Sequence, residues 1–236
     1  MTQTEVGRAA KTAVYVERGA KRTFACAVEW PGWCRGGRDE ASALEALVRS
    51  APRYGRALAY TRLGFVAPSD VADLDLVARH RGNASTDFGV PDIVPKADER
   101  AMEDRDLARY SAIIRASWRA FDTAVEKARG KTLAKGPRGG GRTLDAIVGH
   151  VVGAERGYLS ALGWKVSADT AAIDEVRDAV IAGMAASAHG EIPAVGPRGG
   201  RRWNPRYFAR RLAWHALDHA WEIEDRSGQN ATGGDR

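Results

Sequence analysis

Three of the five histidines stand where they could share one metal ion. His215 and His219 lie four residues apart in RRLAWHALDHAWEIEDRSG, residues 210–228. On a helix that spacing sets two side chains about 40° apart on one face. Phe208 and Leu212 share the face, so the pair points inward, and so does Glu222. Two imidazoles left bare in an apolar interior would cost ~1–3 kcal/mol for each unpaired nitrogen. A divalent transition metal removes that cost, because neutral imidazole is a good ligand for Zn, Ni or Fe. His150, in GRTLDAIVGHVVGAERGYL, sits in mid-helix beside Val148 and Val151 and is the candidate third ligand. The competing reading is three satisfied core histidines.

Other metal and nucleophile patterns are missing. Ala216 follows His215, so there is no glutamate base of the HExxH kind. Ile147, Leu212 and Ala216 precede the three histidines by three residues, which removes a Glu-x-x-His di-iron pattern. No G-x-S-x-G elbow or phosphate-binding P-loop is found. A site with three protein nitrogens leaves coordination positions open, as catalytic metals require. Such a metal could activate water for hydrolysis or hold a thiol as its thiolate. Glu222 is the candidate for orienting an imidazole N–H or carrying a proton, and Asp218 is the second candidate at the edge of that face.

Four amphipathic segments must position these groups. After residue 103 the apolar period becomes 3.6, with Leu107, Tyr110, Ile113, Ile114, Trp118, Phe121 and Val125 on one stripe. A second helix is predicted from about Thr143 and carries His150, and a third over residues 170–186. A fourth opens at Asn204-Pro205 with an N-cap and a first-turn proline, and ends near Gly228. The expected architecture for residues 103–228 is an all-α up-down four-helix bundle. A near-repeat, GPRGGGR at 136–142 and GPRGGRR at 196–202, precedes each histidine-bearing helix. In an up-down bundle both loops gather at one end. Arg138, Arg142, Arg198, Arg201 and Arg202 would then form a cationic rim for an anionic cosubstrate or substrate. The alternative is two flexible, well-solvated loops.

These segments resemble the DinB-like superfamily of metal-binding four-helix bundles. Its pattern of one histidine in the second helix and His-x-x-x-His in the fourth falls on His150, His215 and His219. The resemblance implies a small-molecule substrate and thiol-dependent transferase or isomerase chemistry with a low-molecular-weight thiol. In a high-GC actinobacterial protein, which the Arg/Ala/Gly-rich composition would suit, that thiol would be mycothiol.

Residues 1–80 read as a small α+β unit. Strands are expected over residues 13–17 and 22–30 around a turn at 18–21, followed by a helix over 41–50 stopping before Pro52. A second short helix is expected over 53–63 and a closing strand over 73–80. VYVERGAKRTFACAVEWPGWCRGGRDEASALEALV resembles the HicB-like antitoxin fold, with Pro31, Gly32, Gly37, Glu40 and Ala41 at the matching turn and helix start. That resemblance implies an accessory unit for dimerisation, partner binding or covering the bundle; Trp30 and Trp33, flanking the Pro-Gly turn, are candidate anchors for such contacts, with core packing of at least one the favoured alternative. The resemblance also supports a competing function, a non-catalytic protein in which this unit engages a protein or nucleic-acid partner. Residues 81–102 are expected as a linker and 229–236 as a disordered tail.

Composition bounds the rest. The 236 residues are 44% hydrophobic and 28% charged, an ordinary globular balance. Net charge is +6, but arginines are scattered among acids, so nucleic-acid binding is not the expected main activity. No apolar run approaches the roughly 18 residues of a membrane span, and the first residues lack a signal-peptide core. Cys26 and Cys34 are expected as reduced thiols in a cytoplasmic homodimer, with a hairpin disulfide as the alternative.

Overall fold

The structure, a computed structural model, describes residues 11–135, 141–167 and 172–228. Its elements, in chain order, are β1 (Thr12–Arg18), β2 (Thr23–Ala27), β3 (Cys34–Gly37), α1 (Glu40–Leu58), β4 (Leu74–Arg81), α2 (Ala84–Phe88), α3 (Asp104–Ala128), α4 (Leu144–Leu162), α5 (Ile173–Ala188) and α6 (Pro205–Gly228). The chain divides into two compact units, one of Met1–Gly55 with Phe65–Ile93 and one of Arg56–Gly64 with Val94–Arg236. No helix among the described residues is long and apolar enough to cross a membrane.

The first unit is α+β. Its mixed sheet has the order β3-β2-β1-β4, with β1 antiparallel to β2 and parallel to β4. Gly19 N–H donates to Arg22 O at the expected turn. Between the second expected strand and the helix, where no strand was expected, the chain contains a third strand, β3, because residues 34–37 pair with β2. That register sets Cys26 directly opposite Cys34, and the two form a disulfide. This corrects the expectation of reduced thiols, and a reducing compartment loses the support it drew from them.

Helix α1 runs through Pro52 rather than stopping before it. An interior proline costs a backbone hydrogen bond and about 3 kcal/mol. Burial of Ala51 and Tyr54 on the same face offsets it. Tyr54 stacks on Trp33, donates to Pro31 O and meets the edge of Phe65. Trp33 is fully buried and donates to Leu47 O, so it is a core residue rather than an exposed anchor.

The stretch expected as a linker carries α2 and several buried side chains. Buried Glu17 accepts from the Thr86 hydroxyl and from the backbone N–H groups of Asp92 and Ile93. Further on, Asp98 forms a two-point ion pair with Arg210 of α6, at 2.7 Å for each contact, and both side chains are buried. No apolar-period argument would place such groups inside.

The second unit is helical. Tyr110, Ile114 and Trp118 of α3, Leu159 and Leu162 of α4, Val180 and Met184 of α5, and Phe208 and Leu212 of α6 form its core. Helices α3 and α6 make its most extensive contact. Their N-terminal turns meet through Arg206 and Asp106, and Arg226 near the end of α6 reaches Ala134 O just past α3. The two helices therefore run parallel. Helix α4 runs antiparallel to α6, since Arg226 also reaches Arg142 O before α4 while Trp203 N–H reaches Ala161 O at its end. Helix α5 runs from Asp122, paired with Arg177, back to Asp104, paired with His189. It is thus antiparallel to α3 and parallel to α4. The expected strict up-down alternation is corrected. Helices α4 and α5, consecutive in the chain, point the same way.

Candidate metal centre

Helix α4 begins with Thr143 as N-cap, its side chain accepting from Ala146 N–H, which places His150 in the second turn. Because α4 and α6 are antiparallel, that turn lies against the middle of α6, where His215 and His219 project. The three rings come together almost edge to face, with centroids 5.0 Å apart for His150–His215, 4.9 Å for His150–His219 and 4.6 Å for His215–His219. One nitrogen from each lies within 4.8 Å of the others. His215 and His219 are buried and His150 is half-buried, so the cluster is enclosed on the α6 side.

Its nitrogens suit a metal. His150 Nε2 and His215 Nε2 are 3.2 Å apart. Two nitrogens about 2.0–2.1 Å from a tetrahedral zinc stand about 3.3 Å apart, so this pair could close on one ion with little movement. His219 Nδ1 lies 2.8 Å from Glu222 Oε2, which leaves Nε2 of that ring for a metal. Burial, and secondarily the neighbouring His219 and His150, push His215 down to about 2. Burial and then Arg142 lower His150. Both shifts keep the rings neutral, the form that ligates.

Glu222 does not act alone. Its other oxygen accepts from Arg226 Nη1 at 2.7 Å. Arg226 in turn donates through Nε to Ala134 O and through Nη2 to Arg142 O. Its guanidinium packs so closely on Gly141 that a Cβ there would have to displace it. The hydrogen bond to His219, and then Arg226, hold the Glu222 carboxyl below the usual range, so it is an anion that can orient the imidazole. Arg226 was not anticipated from the sequence, although a Glu–Arg pair four residues apart on a helix is a readable signal.

The other candidates fall in different places. Asp218 is half-buried on α6, one residue before His219, and the ring's hydrogen bond goes to Glu222. Arg142, exposed, is the one predicted rim arginine shown close to the histidines. Arg138 lies outside the described residues. Arg198, Arg201 and Arg202 belong to the connection before α6, at the opposite end of α4. There Arg202 donates to Pro193 O and packs over Gly163, the C-cap of α4. Among the described residues the single cationic rim is therefore corrected, because antiparallel packing of α4 against α6 puts Arg142 at one end of α4 and Arg198, Arg201 and Arg202 at the other.

Aromatic groups flank the cluster. Tyr158, two turns beyond His150, meets His215 edge-on at 5.7 Å and lies 5.2 Å from Trp203. Arg211, one turn before His215, sits over the rings of Tyr158 and Trp214.

Comparison with protein-family models, with curated proteins and with solved structures produced no match for this chain. The arrangement shows a buried three-histidine cluster that could hold a metal.

Proposed function

We propose that the protein is a divalent-metal enzyme of the DinB-like kind, using His150, His215 and His219 for thiol-dependent transfer or isomerisation of a small molecule. The convergence of three imidazole nitrogens within 4.8 Å, one ring oriented by a carboxylate, carries this reading. Zinc, nickel and iron all suit such a donor set. An ion there, with coordination positions to spare, would supply Lewis acidity and a docking point for a thiolate. His219 would be held by Glu222, which accepts its Nδ1–H, and Glu222 would be held by Arg226. Arg142 would attract an anionic thiol or substrate to the mouth of the site. The DinB-like motif in α4 and α6 supports the same reading, and the HicB-like segment remains an accessory unit in it.

Elemental analysis of the purified full chain beside its His215→Ala variant tests the metal. Near-stoichiometric metal in the parent and its loss in the variant is the expected result. No metal in either, even after reconstitution, would overturn the proposal. Cobalt substitution then tests the thiol. Added low-molecular-weight thiol should produce a sulfur-to-cobalt charge-transfer band, and its absence at saturating thiol would redirect the chemistry to hydrolysis.

A further inference from the structure

A second site lies on another face of α4. Arg156 follows His150 by six residues and is therefore turned about 120° away around the helix. Arg156, Ser160, Trp164, Lys165, Val166 and Ser167 line a cavity of about 330 Å³. That size is within the range of small-molecule pockets.

Among the described residues, its cations lack a counter-charge. Arg156 Nε is buried without a hydrogen-bond partner, and neither Arg156 nor Lys165 is bonded or ion-paired to another described residue. Two cations unmatched among the described residues, with the Ser160 hydroxyl beside the same cavity, make a favourable setting for an oxyanion, since guanidinium pairs strongly with carboxylate and phosphate. The carbonyls at the end of α4 would ordinarily repel an anion. Here they are capped: Gly163 N–H bonds Leu159 O and Ser160 O, Trp164 N–H bonds Leu159 O, and Trp203 N–H bonds Ala161 O.

The wall is also shaped by sequence. Gly163 adopts φ 95°, which turns the chain back at the end of α4 and brings Trp164 beside the cavity. Trp164 rests on α5 at Gly183, where a Cβ would come within 3.0 Å of the indole Cγ. The absence of a side chain at 183 thus seats the indole firmly, leaving an aromatic surface beside the two cations.

We propose that this cavity binds a small molecule bearing a phosphate or carboxylate, paired by Arg156 and Lys165, with its flat portion against Trp164. The site is separate from the three-histidine cluster and does not depend on a metal there. Isothermal titration of the full chain with phenyl phosphate and with benzoate tests it and shows which oxyanion is preferred. Saturable binding of at least one is expected. Arg156→Gln should weaken it about tenfold or more, the loss of one charge-assisted hydrogen bond. Lys165→Gln, on an exposed side chain, should weaken it several-fold and keeps the test in hand if the first variant fails to fold. Lys127→Gln, exposed in the last turn of α3 at the other end of the helical unit, should leave it unchanged. No binding of either compound would overturn the proposal, as would equal affinity in the parent and Lys165→Gln proteins.

Discussion

Glu155→Gln should change how stability depends on pH. Glu155 is 1% exposed, accepts 2.6 Å from Trp118 Nε1, and has its second oxygen buried without a partner. Burial raises it from an ordinary 4.5 to about 7, against the lowering effects of the Trp118 hydrogen bond and of Arg177. Arg177 is itself held by Asp122, so it does not approach as a free counter-ion. Because the folded value is raised, the folded state binds the proton more tightly than the unfolded chain. No penalty exists below the unfolded value, it grows as pH rises from about 4.5, and it is complete above about 7. The gap between those values corresponds to about 3 kcal/mol. Glutamine keeps an oxygen for Trp118 and cannot ionise. The stability difference between variant and parent, from urea melts followed by far-ultraviolet circular dichroism, should therefore shift toward the variant by about 3 kcal/mol between pH 4 and pH 8.5. Taking the difference cancels the other titrating groups. Parallel stability curves for the two proteins would refute the reasoning.

Replacing Arg226 with Met should weaken metal affinity about tenfold or more, as losses in the support of a metal ligand do, with Lys restoring part of it; chelator competition reads this. Gly141→Ala should have the same direction and a smaller size, because a methyl there displaces the Arg226 guanidinium. Phe208→Ala should destabilise the helical unit by about 3–5 kcal/mol in denaturant melts, since the ring is fully buried between α6 and its neighbours. Glu17→Ala should open the first unit around α2 by leaving Asp92 and Ile93 N–H groups unpaired, which hydrogen exchange at those amides would detect as lost protection.

Much of the chain could be read locally. The helix starts at Thr143 and Pro205, the turn at Gly19–Arg22 and the strand before residue 81 follow from caps, turn residues and apolar periods. The stop before Pro52 did not hold, because burial beyond the proline outweighs one lost backbone bond. Strand β3 was hidden in a Gly- and Arg-rich stretch whose only reason to be extended is its partner strand. The cysteine pair follows the same logic, since their opposition is a fact of register rather than of spacing along the chain.

The histidine site divides along the same line. The four-residue spacing of His215 and His219 is a local property of any helix, so it was determined by the sequence. That His150 meets them depends on α4 lying antiparallel to α6, which is decided by contacts distant in the chain, among them Trp203 with Ala161 and Arg226 with Arg142. The parallel pairing of α3 with α6 likewise rests on long-range bonds, Arg206 to Asp106 and Arg226 to Ala134. Apolar periodicity tells which face of a helix turns inward. It carries no information about which way a neighbour runs, or about which buried charge finds its partner across the core.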